Sequence, residues 1–87
     1  MSDELIARVI GVIAKTQHIP PESVTIDKTF EELKIDSLDG MNILFEVENE
    51  FDVSVPDDQV PAIRSVRDMV EGIEKLLASK PPQEKVR

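Results

Sequence analysis

The sequence predicts an all-α fold, a small bundle of three main helices plus one short helix, with a long loop between helices 1 and 2. Three observations predict it. Apolar residues recur at three- and four-residue steps in three separate stretches, the period of an amphipathic helix. Each stretch opens beside a residue suited to cap a helix, and the prolines fall between or after these stretches. The one alternating run, "FDVSVPDD" from Phe51, finds no second strand to pair with, and a lone strand is not stable.

Taken in order, the first helix is expected over Asp3–Thr16, with Ser2 as N-cap and Asp3 and Glu4 in the first turn, where the helix dipole favours acids. Leu5, Ile6, Val9, Ile10 and Ile13 form its apolar face. The following "HIPPESVTIDKTFEELKI" carries two adjacent prolines and scattered apolar residues without sustained helical spacing. It reads as a long loop pinned to the core, with a helical turn near Phe30. A loop of that length in a compact domain is either functional or hides a further element. The second helix is expected from Ser37 to Phe51. "PDDQVPAI" is interrupted by Pro61 and has room for only a turn or two. The last helix should start at Ser65, where Ser65-Val66-Arg67-Asp68 resembles a capping box, and should bury Val66, Met69, Val70, Ile73, Leu76 and Leu77. Residues 1–79 then make one domain. Residues 80–87, with two prolines, mixed charge and one apolar residue, are expected to be disordered.

A chain of 87 residues, 40% hydrophobic, supports a single core. All three aromatic residues are Phe, so that core rests on Ile, Leu, Val and Met. Without cysteine there is neither a disulfide nor cysteine-ligated zinc. Eighteen acidic against ten basic residues leave a net charge of -8. Such a surface repels nucleic-acid backbones and anionic lipid, so the expected partners carry basic patches. No apolar run approaches the roughly 20 residues of a membrane span, and the start "MSDELIARVIG" is acidic where a leader would be basic. The expectation is a cytoplasmic monomer with no membrane insertion.

The stretch of most chemical interest is "DSLDGMNI", Asp36 to Ile43. Asp36 can cap the second helix by accepting backbone N–H bonds, and Asp39, three residues on, can reach back, although Glu or Gln would do so better. Capping alone therefore accounts for these residues, with Ser37 a bystander. The same arrangement also presents Ser37 for modification. A helical wheel at about 100° per residue places Ile43, Leu44, Val47 and Phe51 toward the core and Asp39, Asn42, Glu46, Asn49 and Glu50 on a polar face. Met41, Phe45 and Glu48 form a third strip beside Ser37, which either packs under the loop or docks a partner.

The order of elements, the loop length and the opening of an acidic helix by D-S-L-D, closing on "EFDVSVPDD", resemble the acyl carrier protein family over residues 3–78. The resemblance implies that Ser37 receives 4'-phosphopantetheine through a phosphodiester. The terminal thiol of that arm would carry acyl groups as thioesters in fatty acid, polyketide or related acyl-chain biosynthesis. It also implies that Asp36 helps a phosphopantetheinyl transferase engage the serine, and that the chain itself is not an enzyme. Acyl-transferring and acyl-modifying enzymes would dock basic and apolar surfaces against Asp39, Met41, Asn42, Phe45, Glu46 and Glu48. A phosphodiester on Ser37 would sit at a helix N-terminus, where unsatisfied N–H groups and the dipole favour an anion. A short acyl chain is expected to shelter against Leu44, Val47, Val60, Ile63 and Val70.

Two positions depart from the family pattern. Lys34 stands where members usually have Gly, and Asn42 where many fatty-acid carriers have Glu, which points to a specialised member. Gly40 adds a helix penalty of about 1 kcal/mol relative to Ala in the first turn. Two other classes remain alternatives: an acidic helical adaptor in which Ser37 is only a cap residue, and a serine hydrolase, which would need His18, the sole histidine, to reach Ser37. A calcium loop with Gly40 at its sixth position would put Ile35 where the first ligand must be Asp, so no metal site is expected.

Overall fold

The computed structural model describes residues 3–79, and the Ser2 cap and the tail 80–87 lie outside the described residues. Helices α1 (Asp3–Gln17), α2 (Ser37–Phe51) and α3 (Val66–Ser79) form the bundle. Two short 3₁₀ helices, Pro21–Ser23 and Asp57–Ala62, lie in the connections. Pro61 sits inside the second of them and holds it to two turns. The described residues form no strand; "FDVSVPDD" is the end of α2, a short loop and the start of the second 3₁₀ helix.

The helical spacing of the sequence is what builds the core. α1 buries Leu5, Val9, Ile13 and Ala14; α2 buries Ile43, Leu44, Val47 and Phe51; α3 buries Val66, Met69, Val70 and Ile73. α1 packs against both other helices. Val24, Ile35 and Val55 close the core from the loops, and no polar side chain is buried among the described residues. Burying a side chain of this size contributes about 1.5–3 kcal/mol, so these positions hold the bundle together. Leu76 is half-buried, but Leu77, expected in the core, is exposed. It borders a shallow pocket with Leu5 and Phe51 at the end of the bundle, where one of its flanks has no covering element. At that end Arg8 pairs with Glu50 at 2.9 Å and lies over the Phe51 ring, 4.4 Å from its centroid, tying α1 to α2.

The long loop hides more structure than its sequence suggests. Besides Pro21–Ser23, it folds "TFEEL" into one helical turn. The Thr29 hydroxyl accepts from the Glu32 N–H at 3.0 Å and the Glu32 carboxylate accepts from the Thr29 N–H at 2.9 Å, a reciprocal capping box. The turn stops at Lys34, whose φ of 62° is left-handed, as the Ile35 N–H donates back to the Phe30 carbonyl. His18 at φ 58° and Asp52 at φ 56° end α1 and α2 in the same way, with Ile19 and Val53 donating to carbonyls five residues earlier. None of the three helix stops uses glycine, and Gly11, Gly40 and Gly72 all lie inside helices.

This loop is clipped to the start of α3. Phe30 N–H donates to the Arg64 carbonyl at 2.9 Å, Val66 N–H to Lys28 at 3.0 Å, and Arg67 N–H to Ile26 at 3.1 Å, around an isolated antiparallel bridge between Thr29 and Ser65. The Arg67 guanidinium adds an ion pair to Asp27 at 2.6 Å. Both of its partners are exposed, and exposed pairs contribute about 0–1 kcal/mol, so the three backbone bonds matter more. The Ser65 hydroxyl caps α3 by accepting from the Asp68 N–H, as expected, but the Asp68 carboxylate accepts from the Arg64 N–H.

A left-handed conformation costs a non-glycine residue about 1–2 kcal/mol, offset in part by the chain entropy that glycine loses on folding. Lys34→Gly should therefore raise stability, by up to about 1 kcal/mol. A Cβ added at Gly40 meets nothing within 4 Å, so Gly40→Ala should add a comparable amount through helix propensity. Urea unfolding of each variant checks both, with lower midpoints counting against this account.

Candidate functional site

α2 begins where the capped turn ends. Asp36, in extended conformation, accepts the Asp39 N–H on Oδ1 at 2.9 Å, and its carbonyl accepts the Gly40 N–H at 2.8 Å. This settles the N-terminus at Ser37. The N–H groups of Ser37 and Leu38 are left without an intrahelical acceptor, as at any helix start. The Ser37 side chain is exposed.

Ser37 lies on the wall of a cleft of about 650 Å³. Ile35, Leu44 and Met69 come to it from the core side. Thr29, Phe30 and Glu31 of the capped turn form one rim with Asp36, while Val60, Pro61, Ile63 and Arg64 form the opposite rim. The clip sets the distance between the rims, because it joins Phe30 on one to Arg64 on the other. Of the residues expected to shelter an acyl chain, Leu44, Val60 and Ile63 line the cleft. Val47 and Val70 are fully buried in the core and are not among the lining residues.

The outward faces of α2 carry the other candidate residues. Asn42 and Glu46 are exposed and Asp39 is half-buried. Phe45 is 53% exposed, while Met41, 40% exposed, also lines the Ser37 cleft beside the capped turn. Leu38 is 67% exposed and joins them, a position the sequence reading passed over. Its signal was available: it is the first apolar residue after the cap and lies outside the spacing of Ile43, Leu44 and Val47. Glu48 differs from the other members of its strip. It is half-buried and its carboxylate accepts the Val55 N–H at 2.6 Å, holding the loop that follows α2. His18 ends α1 and is not among the residues lining the Ser37 cleft. Among the described residues, no three acidic or histidine side chains are grouped so as to hold a metal ion.

The match to known proteins follows this geometry. Residues 6–73 match the family model described as "Phosphopantetheine attachment site". The chain belongs to the acyl carrier protein family. It is 38% identical over 77 residues to the acyl carrier protein of Rhodococcus erythropolis, covering 87% of this chain and 85% of that one. It is 36% identical over 77 residues to the mitochondrial acyl carrier protein of Dictyostelium discoideum, covering 88% of this chain and 64% of that one. The crystal structure of an acyl carrier protein from Thermotoga maritima superposes with a TM-score of 0.77 at 29% identity, covering 87% of this chain and 89% of that one. The prosthetic group of this family is a covalently attached 4'-phosphopantetheine. The described helices include none long and apolar enough to cross a membrane.

The capped turn forms one wall of the site and is closed by a titratable carboxylate. Glu32 is held below the ordinary glutamate range, chiefly because its carboxylate accepts the Thr29 backbone N–H, with the Thr29 side chain and the charge of Lys28 acting in the same direction. A lowered folded-state value means that the stabilisation is present above the ordinary glutamate value and is lost as pH falls through the lowered one. Glu32→Gln should therefore lower the melting temperature near neutral pH and make less difference in strong acid. A pH series of thermal unfolding measures this, and an equal effect at both ends would contradict it.

Proposed function

We propose that Ser37 is the residue that bears the 4'-phosphopantetheine, and that the chain is a carrier of acyl groups in fatty acid, polyketide or related acyl-chain biosynthesis, acting in the cytoplasm. The observation that carries this reading is the position of Ser37: an exposed hydroxyl at the start of α2, on the wall of the cleft. The free N–H groups and dipole of that helix start suit the phosphodiester, and the apolar floor suits an alkyl chain. When bound, the group supplies the thiol on which a thioester forms, which this cysteine-free chain lacks. The protein's own part is to hold the attachment oxygen in the open and to shelter what the arm carries. No catalytic role is assigned to any of its side chains.

Ser37→Ala should fold normally, because the Asp36 cap does not use the serine hydroxyl, and should gain no mass when treated with coenzyme A and a phosphopantetheinyl transferase. Intact-mass analysis beside the wild type checks this. A phosphopantetheine increment on the alanine variant would overturn the assignment, and its absence from the wild type would favour the adaptor alternative.

The departures at Lys34 and Asn42 support a finer reading, a specialised carrier. Both side chains are exposed, beside and one turn beyond the attachment site. Replacing an acid by Asn weakens an exposed contact with a basic partner by up to about 1 kcal/mol, about fivefold in affinity, and Lys34 adds like-charge repulsion. The apolar strip of Leu38, Met41 and Phe45 offers a compensating contact to a dedicated partner with an apolar pocket, and the transferase meets the Asp36 end of the same helix. A general ketosynthase or malonyl transferase should turn over the wild type poorly and the Lys34→Gly/Asn42→Glu variant better. Equal turnover, at the level of an ordinary fatty-acid carrier, would make this a housekeeping protein.

A further inference from the structure

We propose that Arg64 is a positioning residue for the prosthetic arm: its guanidinium pairs with the phosphodiester on Ser37 and holds the arm against the cleft. This rests on Ser37 being the attachment residue. Three observations converge on Arg64. First, it lines the same cleft as Ser37, from the connection before α3, and it is the one cation among the lining residues, where Glu31 and Asp36 are acids. Secondly, the side chain is exposed, and among the described residues no carboxylate lies within ion-pair distance of it. Arg8 and Arg67, by contrast, are both engaged by acids, in a protein with eighteen acidic residues and a net charge of -8.

Thirdly, Arg64 is held where it stands. Its carbonyl accepts the Phe30 N–H at 2.9 Å, its own N–H donates to Asp68 at 3.1 Å, and Nε–H reaches the Pro61 carbonyl on the same rim at 3.5 Å. The backbone is thus fixed from both sides, and the terminal N–H groups of the guanidinium remain for an anion. A planar guanidinium suits the two non-bridging oxygens of a phosphodiester, which it can bind in a bidentate manner. The phosphodiester is an anion that stays at this cleft, because the bond to Ser37 keeps it at the wall whatever the arm carries. Pairing would draw the first part of the arm across the mouth of the cleft, directing its far end along the apolar floor.

The test uses holo protein whose single phosphopantetheine on Ser37 has first been verified by mass and peptide mapping, so that failure of the attachment reading shows itself separately. The ³¹P resonance of the phosphodiester should shift between wild type and Arg64→Ala, shift part of the way in Arg64→Lys, which keeps the charge but not the planar fork, and be unmoved by Arg8→Ala, which removes a cation outside the cleft lining. The wild-type shift should collapse toward that of Arg64→Ala as salt is raised. The ¹⁵Nε resonance of Arg64 should move between apo and holo wild type, which reads the contact without any substitution. An unchanged ³¹P resonance in Arg64→Ala, together with an unmoved Arg64 signal, would overturn the proposal. If the Arg64 signal moves only when the thiol is loaded with a malonyl group, and not in holo protein or with an acetyl group, then the anion is a carboxylate on the cargo and the phosphodiester assignment falls.

Discussion

The geometry of the site depends on the clip between the long loop and the start of α3. Three backbone hydrogen bonds join residues 26, 28 and 30 to residues 67, 66 and 64. They bring together segments that no helix–helix contact would hold in register. One end of the clip leads directly into the capped turn and the Asp36 cap of α2, and the other into the 3₁₀ helix that forms the far rim of the cleft. The three helices alone would give a core; the clip gives that core an opening of defined width beside Ser37. Each bond contributes about 0.5–1.5 kcal/mol net, so together they rival the burial of one or two core side chains.

Much of this was legible in the sequence, for a reason that also marks its limits. Helical period and capping chemistry are local, and they place α1, α2 and α3 within a residue or so of their observed ends. Ser37 was legible for the same reason, since a residue just inside an Asp cap has only one place to be. The capped turn in the loop was half visible. Thr29-Phe30-Glu31-Glu32 carries the cap pattern, but one turn is too short to show a period, and Lys34 stands where a glycine would have announced the stop. The clip and Arg64 were not visible at all. They join residues 34 to 41 positions apart through backbone groups, which every residue possesses, so no side-chain pattern records them.

Glu48 shows what a correct periodicity leaves out. The wheel places it with Met41 and Phe45 on one flank of α2, and the spacing is right. Yet the chain turns back after Asp52, and the returning loop brings the Val55 N–H onto that carboxylate. A wheel describes the surface of an isolated helix and contains nothing about which later segment will cover it. Val47 and Val70 show the converse: apolar and on different helices of the bundle, they are fully buried and do not line the cleft, a distinction that spacing alone does not draw.

α2 carries three tasks on fifteen residues, and the helical period is what keeps them apart. Successive side chains point about 100° from one another, so Ser37 and Leu38 take different directions within a single turn. Ser37 and, one turn on, Met41 meet the cleft, while Leu38 and Phe45, seven positions apart, face solvent. Ile43, Leu44, Val47 and Phe51 complete the circle toward the core. The core residues anchor the helix against rotation, which would cost several buried side chains at about 1.5–3 kcal/mol each. The Ser37 hydroxyl and the exposed apolar strip therefore keep a constant angle to one another. On the proposed function, a partner docked on the strip would meet the base of the arm in one orientation only, and that fixed angle is imposed by burial on the opposite face of the same helix.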